Sequence, residues 1–492
     1  MRQRAAGLAA VAIILSAISQ TAAVSGSSRT PQTPDVLSRI RQEGTDRSQV
    51  QALFATLTDQ FGPRLAGSPA YKQAAEWARE RMRAFGLSDP TLEPWAFGRG
   101  WVLDRLVVEM VEPRYMPLIG YAEAWSPSTK GEILAAPIMV GGRSPADVAA
   151  MKARLSGAIV LTQPEAAFIK TDRPQPSTSE GPVRIGQPPP VGPRGTAADT
   201  RAIAQTLREA GVGVTVKTSE GEHGTVFVLG RDQGDAATPS IVLAGEHYNM
   251  IARMLQRGLP VKLRVHVQSH YGTDDPNSYN VVAEIPGRDP QLKSEVVLLG
   301  AHLDSWHTGT GASDNADGVA VVVEAMRILK TLGLQPKRTI RVALWGGEEE
   351  GLLGSKAYTT EHLAGDANKD ARDKMFLYLN IDPATGPIYG WYMQDSEPAK
   401  ALFDTWLEPL KDLGMRKNVL PGIGSTDHLS FRAVGVPGFN PIQEYKDYDV
   451  RMHHTNVDLY ERVREQDLKQ NAIVMAWFAW QAANTAERIP RP

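Results

Sequence analysis

The stretch Glu295–Asn315, EVVLLGAHLDSWHTGTGASDN, decides the fold of this chain. It opens as a continuous apolar run of the kind that forms a buried strand. The run breaks at Gly300 and is followed by His302 and Asp304. After a loop rich in Gly, Thr and Ser, the acid Asp314 begins a helix. Ligands bind outside the carboxyl ends of the strands in open α/β sheets. The stretch therefore predicts both an α/β fold and the sheet edge at which a site lies.

Two later stretches repeat the pattern of an apolar strand that ends in an acid. Arg338–Gly347 is followed by Glu348-Glu349, and Met375–Ile381 is followed by Asp382. Imidazole and carboxylate ligands suit zinc and similar metals. Three strand ends and one helix start thus predict a metal site at one edge of the sheet.

Each candidate also has a simpler structural role. His302 alone suits a hydrogen-bonded histidine at a strand end, Asp314 suits a helix N-cap, and Asp382 suits a turn before a proline. The acidic run at 348–350 could be a solvated turn, and the pair His453-His454 could lie on the surface. These roles would all have to hold together at one sheet edge, so the metal site is the better interpretation.

A site with two metals can hold both the attacking water and the substrate oxygen. It needs about five protein ligands, with one bridging carboxylate, and a free base. The chain offers five ligand candidates, namely His302, Asp314, Glu349, Asp382 and one of His453 and His454. Glu348 remains as the general base, because neighbouring acids at a strand end point in different directions.

Asp304 is expected to orient a ligand rather than to bind metal. In the His-x-Asp pattern its carboxylate can accept the second imidazole N–H of His302 and so fix the tautomer; the alternative is an acid that caps the loop. Other catalytic motifs are missing from the sequence, which has neither His-Glu-x-x-His nor a G-x-S-x-G elbow.

Length and composition predict two domains in an ordinary globular protein. The chain has 492 residues, 42% of them hydrophobic and 22% charged, and exceeds one average domain. The net charge of −2 gives no electrostatic reason to expect nucleic acid or an anionic membrane as a partner.

The first residues predict export from a bacterial cell. Arg2 and Arg4, the apolar run at 5–18 and the small residues Ala22-Ala23 are typical of a secretory signal. An uncleaved anchor is the alternative, but the apolar run is short for a membrane span. We expect cleavage near residue 23, a periplasmic or secreted protein, and no stable membrane insertion afterwards. Cysteine is absent, so no disulfide can form.

Five motifs resemble the M28 family of dinuclear zinc exopeptidases. They are AHLDS, SDNADGVA, GGEEEGLLGS, the strand-end Asp382 and HHTNVD. Within the family the chain is similar to the branch that contains carboxypeptidase Q and bacterial aminopeptidases. The resemblance covers about 270–486 strongly and about 48–100 moderately. It implies an α/β peptidase domain with a mixed central β-sheet flanked by helices, together with an inserted, smaller protease-associated domain.

The expected organisation follows from this resemblance and from the lack of ligand-like clusters between about 120 and 265. The segments are a signal peptide at 1–23, a linker at 24–47, the N-terminal part of the peptidase domain at 48–120, the inserted domain at 121–268 and the catalytic part at 269–488. The segment 173–195 is too rich in Pro and Gly for regular structure.

The resemblance implies roles for single residues. Two Zn²⁺ ions would be bridged by Asp314, one completed by His302 and Asp382 and the other by Glu349 and His454, with His453 as the alternative. Glu348 would be the general base and acid. Further implied contacts to substrate are Asp427 and His428. Some relatives have a tyrosine shortly before that Asp to polarise the carbonyl, but this chain has Gly422-Ile423-Gly424 there, so Tyr445 or Tyr448 is the expected substitute.

The sequence therefore predicts a secreted metallo-exopeptidase, with an aminopeptidase as the first choice. A dipeptidase or carboxypeptidase of the carboxypeptidase Q type is the alternative within the enzyme class. A non-catalytic binding module on the same fold is the alternative outside it, although such a protein would be expected to have lost ligands or base. The expected partners are peptide substrates, and a homodimer is compatible with the sequence.

Overall fold

The computed structural model describes residues 35–172, 196–272, 274–382 and 385–492. The strands, in chain order, are β1 Ser88–Ala96, β2 Gly100–Glu112, β3 Met116–Pro117, β4 Gly120–Ala122, β5 Ile133–Ala135, β6 Ile138–Met139, β7 Ile159–Leu161, β8 Val214–Thr218, β9 Ser240–Leu243, β10 Lys262–Gly272, β11 Asn277–Ile285, β12 Val296–His302, β13 Thr339–Trp345, β14 Met375–Asn380, β15 Thr385–Tyr392 and β16 Gly438–Glu444.

The α-helices are α1 Val36–Asp46, α2 Val50–Ala55, α3 Pro69–Ala84, α4 Pro145–Ala150, α5 Ala197–Ala210, α6 Gly245–Gln256, α7 Asp317–Thr331, α8 Leu353–His362, α9 Lys369–Lys374, α10 Glu397–Leu407, α11 His428–Ala433 and α12 Glu465–Asn484. Among the described residues, no helix combines the length and the apolar character that crossing a membrane requires. The predicted signal peptide and the Pro- and Gly-rich segment at 173–195 lie outside the described residues.

A mixed sheet of seven strands carries the main domain, in the order β1-β11-β13-β12-β14-β16-β15. The strands β13, β12, β14 and β16 run parallel to one another, and the outer pairings are antiparallel. Every residue of β12 is buried, as expected for a central strand that is covered on both faces. This architecture confirms the predicted fold class.

Alternation along β12 separates two apolar layers. Val297, Leu299 and Ala301 belong to the large core that includes helices α7 and α12. Val296 and Leu298 face the opposite layer, which contains apolar residues of α8 and α11. Because successive side chains of a strand point to opposite faces, the continuous apolar run satisfies both layers at once.

The inserted region contains two further sheets. One has the order β3-β2-β10-β5, and the other has the order β4-β9-β8-β7-β6. Strand β2 pairs with β10 from Gly100–Gly272 to Glu112–Lys262 and takes no part in the seven-stranded sheet. By sheet membership the region therefore begins near residue 100 and ends near 272, whereas the expected limits were 121 and 268.

The predicted linker at 24–47 is helical in its described part. Asp35 caps α1 by accepting the N–H of Ser38 at 2.7 Å, and Ile40 is fully buried in the core next to α12. The polar composition of α1 suggested a linker, but one apolar stripe that packs on the core is enough to hold a short helix.

Candidate metal centre

Parallel strands bring the predicted site residues to one edge of the sheet. His302 is the last residue of β12 and pairs with Trp345, three residues before Glu348. On the other side of β12, Gly300 pairs with Asn380, two residues before Asp382. Asp314 lies in the turn Ala312–Ala316 that leads into α7. The strand ends and the helix start thus converge, as the sequence predicted.

One cluster consists of His302, Asp314 and Asp382, all buried. The Nε2 atom of His302 lies 3.2 Å from Oδ1 of Asp314 and 3.4 Å from Oδ1 of Asp382. The same Nε2 atom is buried and has no hydrogen-bond partner. Buried polar atoms are rarely left unpaired, so this arrangement fits a cation between the three side chains.

A second cluster uses the other oxygen of Asp314. The Nε2 atom of His454 lies 3.4 Å from Oδ2 of Asp314 and 2.8 Å from Oε2 of Glu349. The second carboxylate oxygen of Glu349, Oε1, is buried without a hydrogen-bond partner. Asp314 therefore presents one oxygen to each cluster, which is the geometry of a carboxylate between two metal ions.

Both candidate histidines lie at the second cluster. His453 forms a further group with Asp314 and His454, and the two imidazole rings stack with centroids 3.6 Å apart. His454 is within ion-pair distance of both Asp314 and Glu349. Burial lowers the pKa of His454, and the neutral ring is the form that binds a metal.

Asp304 supports the site in a different way from that expected. The Nδ1 atom of His302 is 3.1 Å from the backbone carbonyl oxygen of Asp304 and 3.7 Å from its carboxylate. The carboxylate instead accepts the backbone N–H groups of Glu348 and Glu349, each at 3.2 Å. The residue still fixes the His302 ring, but through its main chain, because its carboxylate holds the start of the acidic run.

Asp458 orients the central carboxylate, a role that the sequence pattern does not reveal. Its Oδ1 accepts the N–H of Ser313 at 2.9 Å and the hydroxyl of Ser313 at 2.7 Å, and its Oδ2 accepts the N–H of Asp314 at 3.2 Å. Burial raises the pKa of Asp458 to about 7. In the sequence it stands out only as the last residue of the HHTNVD motif, which does not reveal a contact with a distant turn.

Arg64 is a second residue that the sequence analysis missed. Its side chain is fully buried and donates to the carbonyl oxygens of Leu303 at 2.8 Å, Thr310 at 2.8 Å and Gly311 at 3.0 Å. These carbonyls belong to the loop between His302 and Asp314. Burial lowers the pKa of Arg64 to about 10, and the guanidinium thus tethers the ligand-bearing loop to the segment before α3.

Glu348 and Asp427 are buried carboxyl groups beside the first cluster. Burial raises the pKa of Glu348 well above its ordinary value, and the neighbouring acids Asp382 and Asp427 act in the same direction. Burial also raises the pKa of Asp427 to about 7, and neither carboxylate oxygen of Asp427 has a hydrogen-bond partner. A carboxyl group with a raised pKa can both accept and return a proton near neutral pH.

The remaining predicted substrate contacts are His428 and Tyr445. The Nε2 atom of His428 is 2.7 Å from the side-chain nitrogen of Gln394 and 3.2 Å from the carbonyl oxygen of Ile423, so this ring holds a neighbouring loop. Tyr445 is buried, and its ring contacts that of Tyr448, which in turn contacts the ring of His453. Asp427 is an electrostatic neighbour of Glu348, and contact of His428 or Tyr445 with a substrate stays a prediction.

Comparison with known proteins gives one family and several relatives. Residues 280–479 match peptidase family M28. Carboxypeptidase Q from Bos taurus is 28% identical over 443 residues, which are 89% of this chain and 86% of that protein. A peptidase M28 precursor from Shewanella amazonensis SB2B superposes with a TM-score of 0.70 at 28% identity, over 93% of this chain and 98% of that one.

A zinc aminopeptidase from Bacillus subtilis has the same fold. It superposes with a TM-score of 0.59 at 18% identity, over 89% of this chain and 95% of that one. At this identity the similarity concerns the fold alone.

Proposed function

We propose that the protein is an exported metallo-exopeptidase that uses two zinc ions, because its residues 280–479 match peptidase family M28. It removes single residues from peptides, with an aminopeptidase as the first candidate. The observation that carries the proposal is the position of Asp314, whose two oxygens face two separate groups of imidazole and carboxylate side chains.

The residues that would hold the two ions are divided between the clusters. His302 and Asp382 would complete one site, Glu349 and His454 would complete the other, and Asp314 would serve both. The donor set of two imidazoles and three carboxylates suits zinc. Because the carboxylates oppose each other in a buried space, bound cations would also offset their mutual repulsion.

Glu348 would move the proton during hydrolysis. When bound, the zinc pair supplies Lewis-acid activation of the water and of the scissile carbonyl. Glu348 takes a proton from the attacking water and delivers it to the leaving amine. The raised pKa of Glu348 suits both steps. Asp304 keeps Glu348 in place, because its carboxylate accepts the backbone N–H of Glu348.

The charges around the clusters favour binding of a free N-terminus. Two divalent cations would balance the carboxylates of the ligands and of Glu348, while further acids, among them Asp304 and Asp427, lie beside them. An α-ammonium group is attracted to such surroundings and an α-carboxylate is repelled. This electrostatic argument supports an aminopeptidase.

A carboxypeptidase or dipeptidase of the carboxypeptidase Q type is the second candidate. It is favoured by the similarity to carboxypeptidase Q, which extends over 89% of this chain and so includes the inserted region. The N-terminal sequence with Arg2, Arg4 and the apolar run at 5–18 supports export in either case.

Analysis of the products by mass spectrometry tests the proposal. The zinc-loaded protein is offered a free tripeptide, the same tripeptide with an acetylated N-terminus, and free dipeptides, each with and without a chelator. Release of the first residue from the free tripeptide alone identifies an aminopeptidase. Release of the last residue from the acetylated peptide identifies a carboxypeptidase, and cleavage of dipeptides alone identifies a dipeptidase. Absence of any chelator-sensitive cleavage would refute the proposal that the protein is a metallopeptidase.

The substitution Glu348→Gln tests the base. We expect kcat to fall by about 10²–10⁴-fold, because a positioned general base contributes about that much, while the zinc content stays the same. Glu361→Gln, at an exposed glutamate of α8, is the matched control and should leave kcat unchanged. Full activity of Glu348→Gln would remove this residue from the mechanism.

A further inference from the structure

The loop that carries His454 is paired with the inserted region. Phe227 and Thr455 form an antiparallel bridge. The N–H of Val228 donates to the carbonyl oxygen of His454 at 3.2 Å, and the N–H of Asn456 donates to the carbonyl oxygen of Val226 at 3.3 Å. The main chain of the proposed ligand His454 is thus hydrogen-bonded directly to a segment of the inserted region.

The side chain of Asn456 strengthens this pairing. Its Oδ1 accepts the N–H of Val226 at 2.7 Å, and its Nδ2 donates to the carbonyl oxygen of Gly224 at 3.3 Å. An asparagine that uses its acceptor and a donor on the main chain of one segment imitates a further backbone pair. The contact is therefore specific for an amide at this position.

Asp172 holds the other end of the same loop. Its Oδ2 accepts the N–H of Asp447 at 2.7 Å, and its Oδ1 accepts the N–H groups of Asp449 at 3.1 Å and Val450 at 3.3 Å. The latter two belong to the turn Tyr448–Met452, which directly precedes His453. Hydrogen bonds of Asp172 and Asn456 thus link the loop to the inserted region on both sides of His453 and His454.

The segment of the inserted region that makes these contacts is itself well anchored. Val226 and Val228 are buried in a small core with Val242 and Ala244 next to β9. The hydroxyl of Ser219 donates to the carbonyl oxygen of Thr225 at 2.9 Å and accepts the N–H of Phe227 at 3.1 Å. The loop with His454 is therefore attached to a packed structure.

His454 depends on outside support more than the other proposed ligands do. His302, Glu349 and Asp382 end or follow strands of the seven-stranded sheet, and Asp314 precedes α7. His454 instead has a φ of +60°, a left-handed conformation that residues with a side chain rarely adopt. Contacts from outside the loop can hold such a conformation.

We propose that the inserted region positions His454 and thereby controls the affinity of one of the two metal sites. This inference rests on the proposed function, because it takes His454 as a ligand. Asn456 and Asp172 are positioning residues for the site made by Glu349 and His454. The site made by His302 and Asp382 does not depend on them.

The test compares metal retention of the full-length variants Asn456→Ala and Asp172→Ala with that of the wild type. Each zinc-loaded protein is dialysed against a graded series of chelator concentrations, and the zinc content is measured by mass spectrometry. We expect one equivalent of zinc to be released at about 10–100-fold lower chelator concentration, the usual effect of losing a group that orients a ligand. The second equivalent should be released as in the wild type.

Three further variants show whether the early release of zinc comes from the site that contains His454. His454→Ala should release one equivalent early, in the same way as the positioning variants. Asn456→Asp keeps the acceptor for Val226 and should lie between the wild type and Asn456→Ala. Glu209→Gln removes an exposed ion pair with Lys152 elsewhere in the inserted region and should retain both ions. Release of both equivalents together, or of neither, from the positioning variants would overturn the inference.

Hydrogen exchange on the wild type gives evidence that does not depend on how the variants fold. With zinc removed, the amides of Asn456, Val228 and Asp447 should stay protected, because the inserted region orders the loop without metal. Rapid exchange of these amides in the zinc-free protein would overturn the inference. A wild type that binds fewer than two zinc ions would instead refute the proposed function on which it rests.

Discussion

Arg64 shows how a single buried residue can hold together the segments that build a site. Its guanidinium is fully buried and donates to carbonyl oxygens on both of the segments that it joins, including Gly62 at 2.7 Å and Thr310 at 2.8 Å. A guanidinium can satisfy several carbonyls at once because its five N–H donors form a rigid fork.

Replacing Arg64 with Met should therefore destabilise the protein strongly. We expect a loss of at least about 3 kcal/mol in the free energy of unfolding, because several buried carbonyl oxygens lose their donor. Urea unfolding of the zinc-free protein measures this loss. Arg83→Ala, which removes an exposed ion pair with Glu80, should cost no more than about 1 kcal/mol. Equal effects of the two substitutions would contradict the assigned role.

At the level of single residues, spacing and residue type were enough to select the side chains that the structure brings together around Asp314. They did not reveal Arg64, Asp458 or Asn456. These three act on the backbone of segments far away in the chain, and no local pattern encodes such contacts. The same limit explains Asp304, whose carboxylate turns towards Glu348 and Glu349, a contact between two strand ends.

Strand β12 depends on a glycine in its centre. A Cβ atom on Gly300 would lie 2.5 Å from the hydroxyl oxygen of Tyr378 and 3.0 Å from the carbonyl oxygen of Ala343. The Tyr378 hydroxyl is fixed by the indole N–H of Trp345 at 2.7 Å and by Asn380. The neighbouring strands therefore leave no room for a methyl group two residues before His302.

Gly300→Ala should lower stability by about 1–3 kcal/mol, the usual cost of overpacking a core, and should weaken zinc binding because β12 carries His302. Thermal unfolding and zinc content measure the two effects. Gly272→Ala is the matched control, since a Cβ atom there would have its nearest neighbour at 3.9 Å. An unchanged melting temperature for Gly300→Ala would show that the sheet can accommodate the methyl group.

Among the elements, the long apolar strands β12, β13 and β14 were predicted from the sequence, whereas β15 and β16, at one side of the sheet, were not. Strand β15 contains Gly386, Pro387 and Gly390, and β16 contains Asn440 and Pro441. These residue types are depleted in strands, so tertiary pairing rather than local preference forms this part of the sheet. Helix α1 was likewise not predicted from its sequence, and it is held by packing on the core.

In the whole molecule, His307 connects the main domain with the inserted region. Its Nε2 atom is 2.7 Å from the carbonyl oxygen of Ala122 in β4, and its ring packs edge-on against Trp101 of β2. Burial lowers the pKa of His307 to about 4 from its ordinary value of 6.5. The ring is therefore neutral in the folded protein at neutral pH.

This connection should weaken in acid. Above pH 6.5 the ring is neutral in both the folded and the unfolded chain. As the pH falls from about 6.5 to about 4, the unfolded chain binds a proton that the folded chain excludes, so the free energy of unfolding decreases. His307→Gln lacks this titration. We expect the melting temperature of the wild type to fall more than that of His307→Gln over this range, and parallel curves would contradict the assignment.

The ribbon of β2 and β10 has a consequence for how the gene can be edited. Gly100 and Gly272 are direct partners at its base, and partner residues in antiparallel strands have Cα atoms only about 5 Å apart. The points where the chain leaves and re-enters the main domain are thus close enough for a very short splice to replace everything between them. The inserted region is thus joined to the main domain through two neighbouring chain positions. A shortened chain that lacks this region could join them without being stretched.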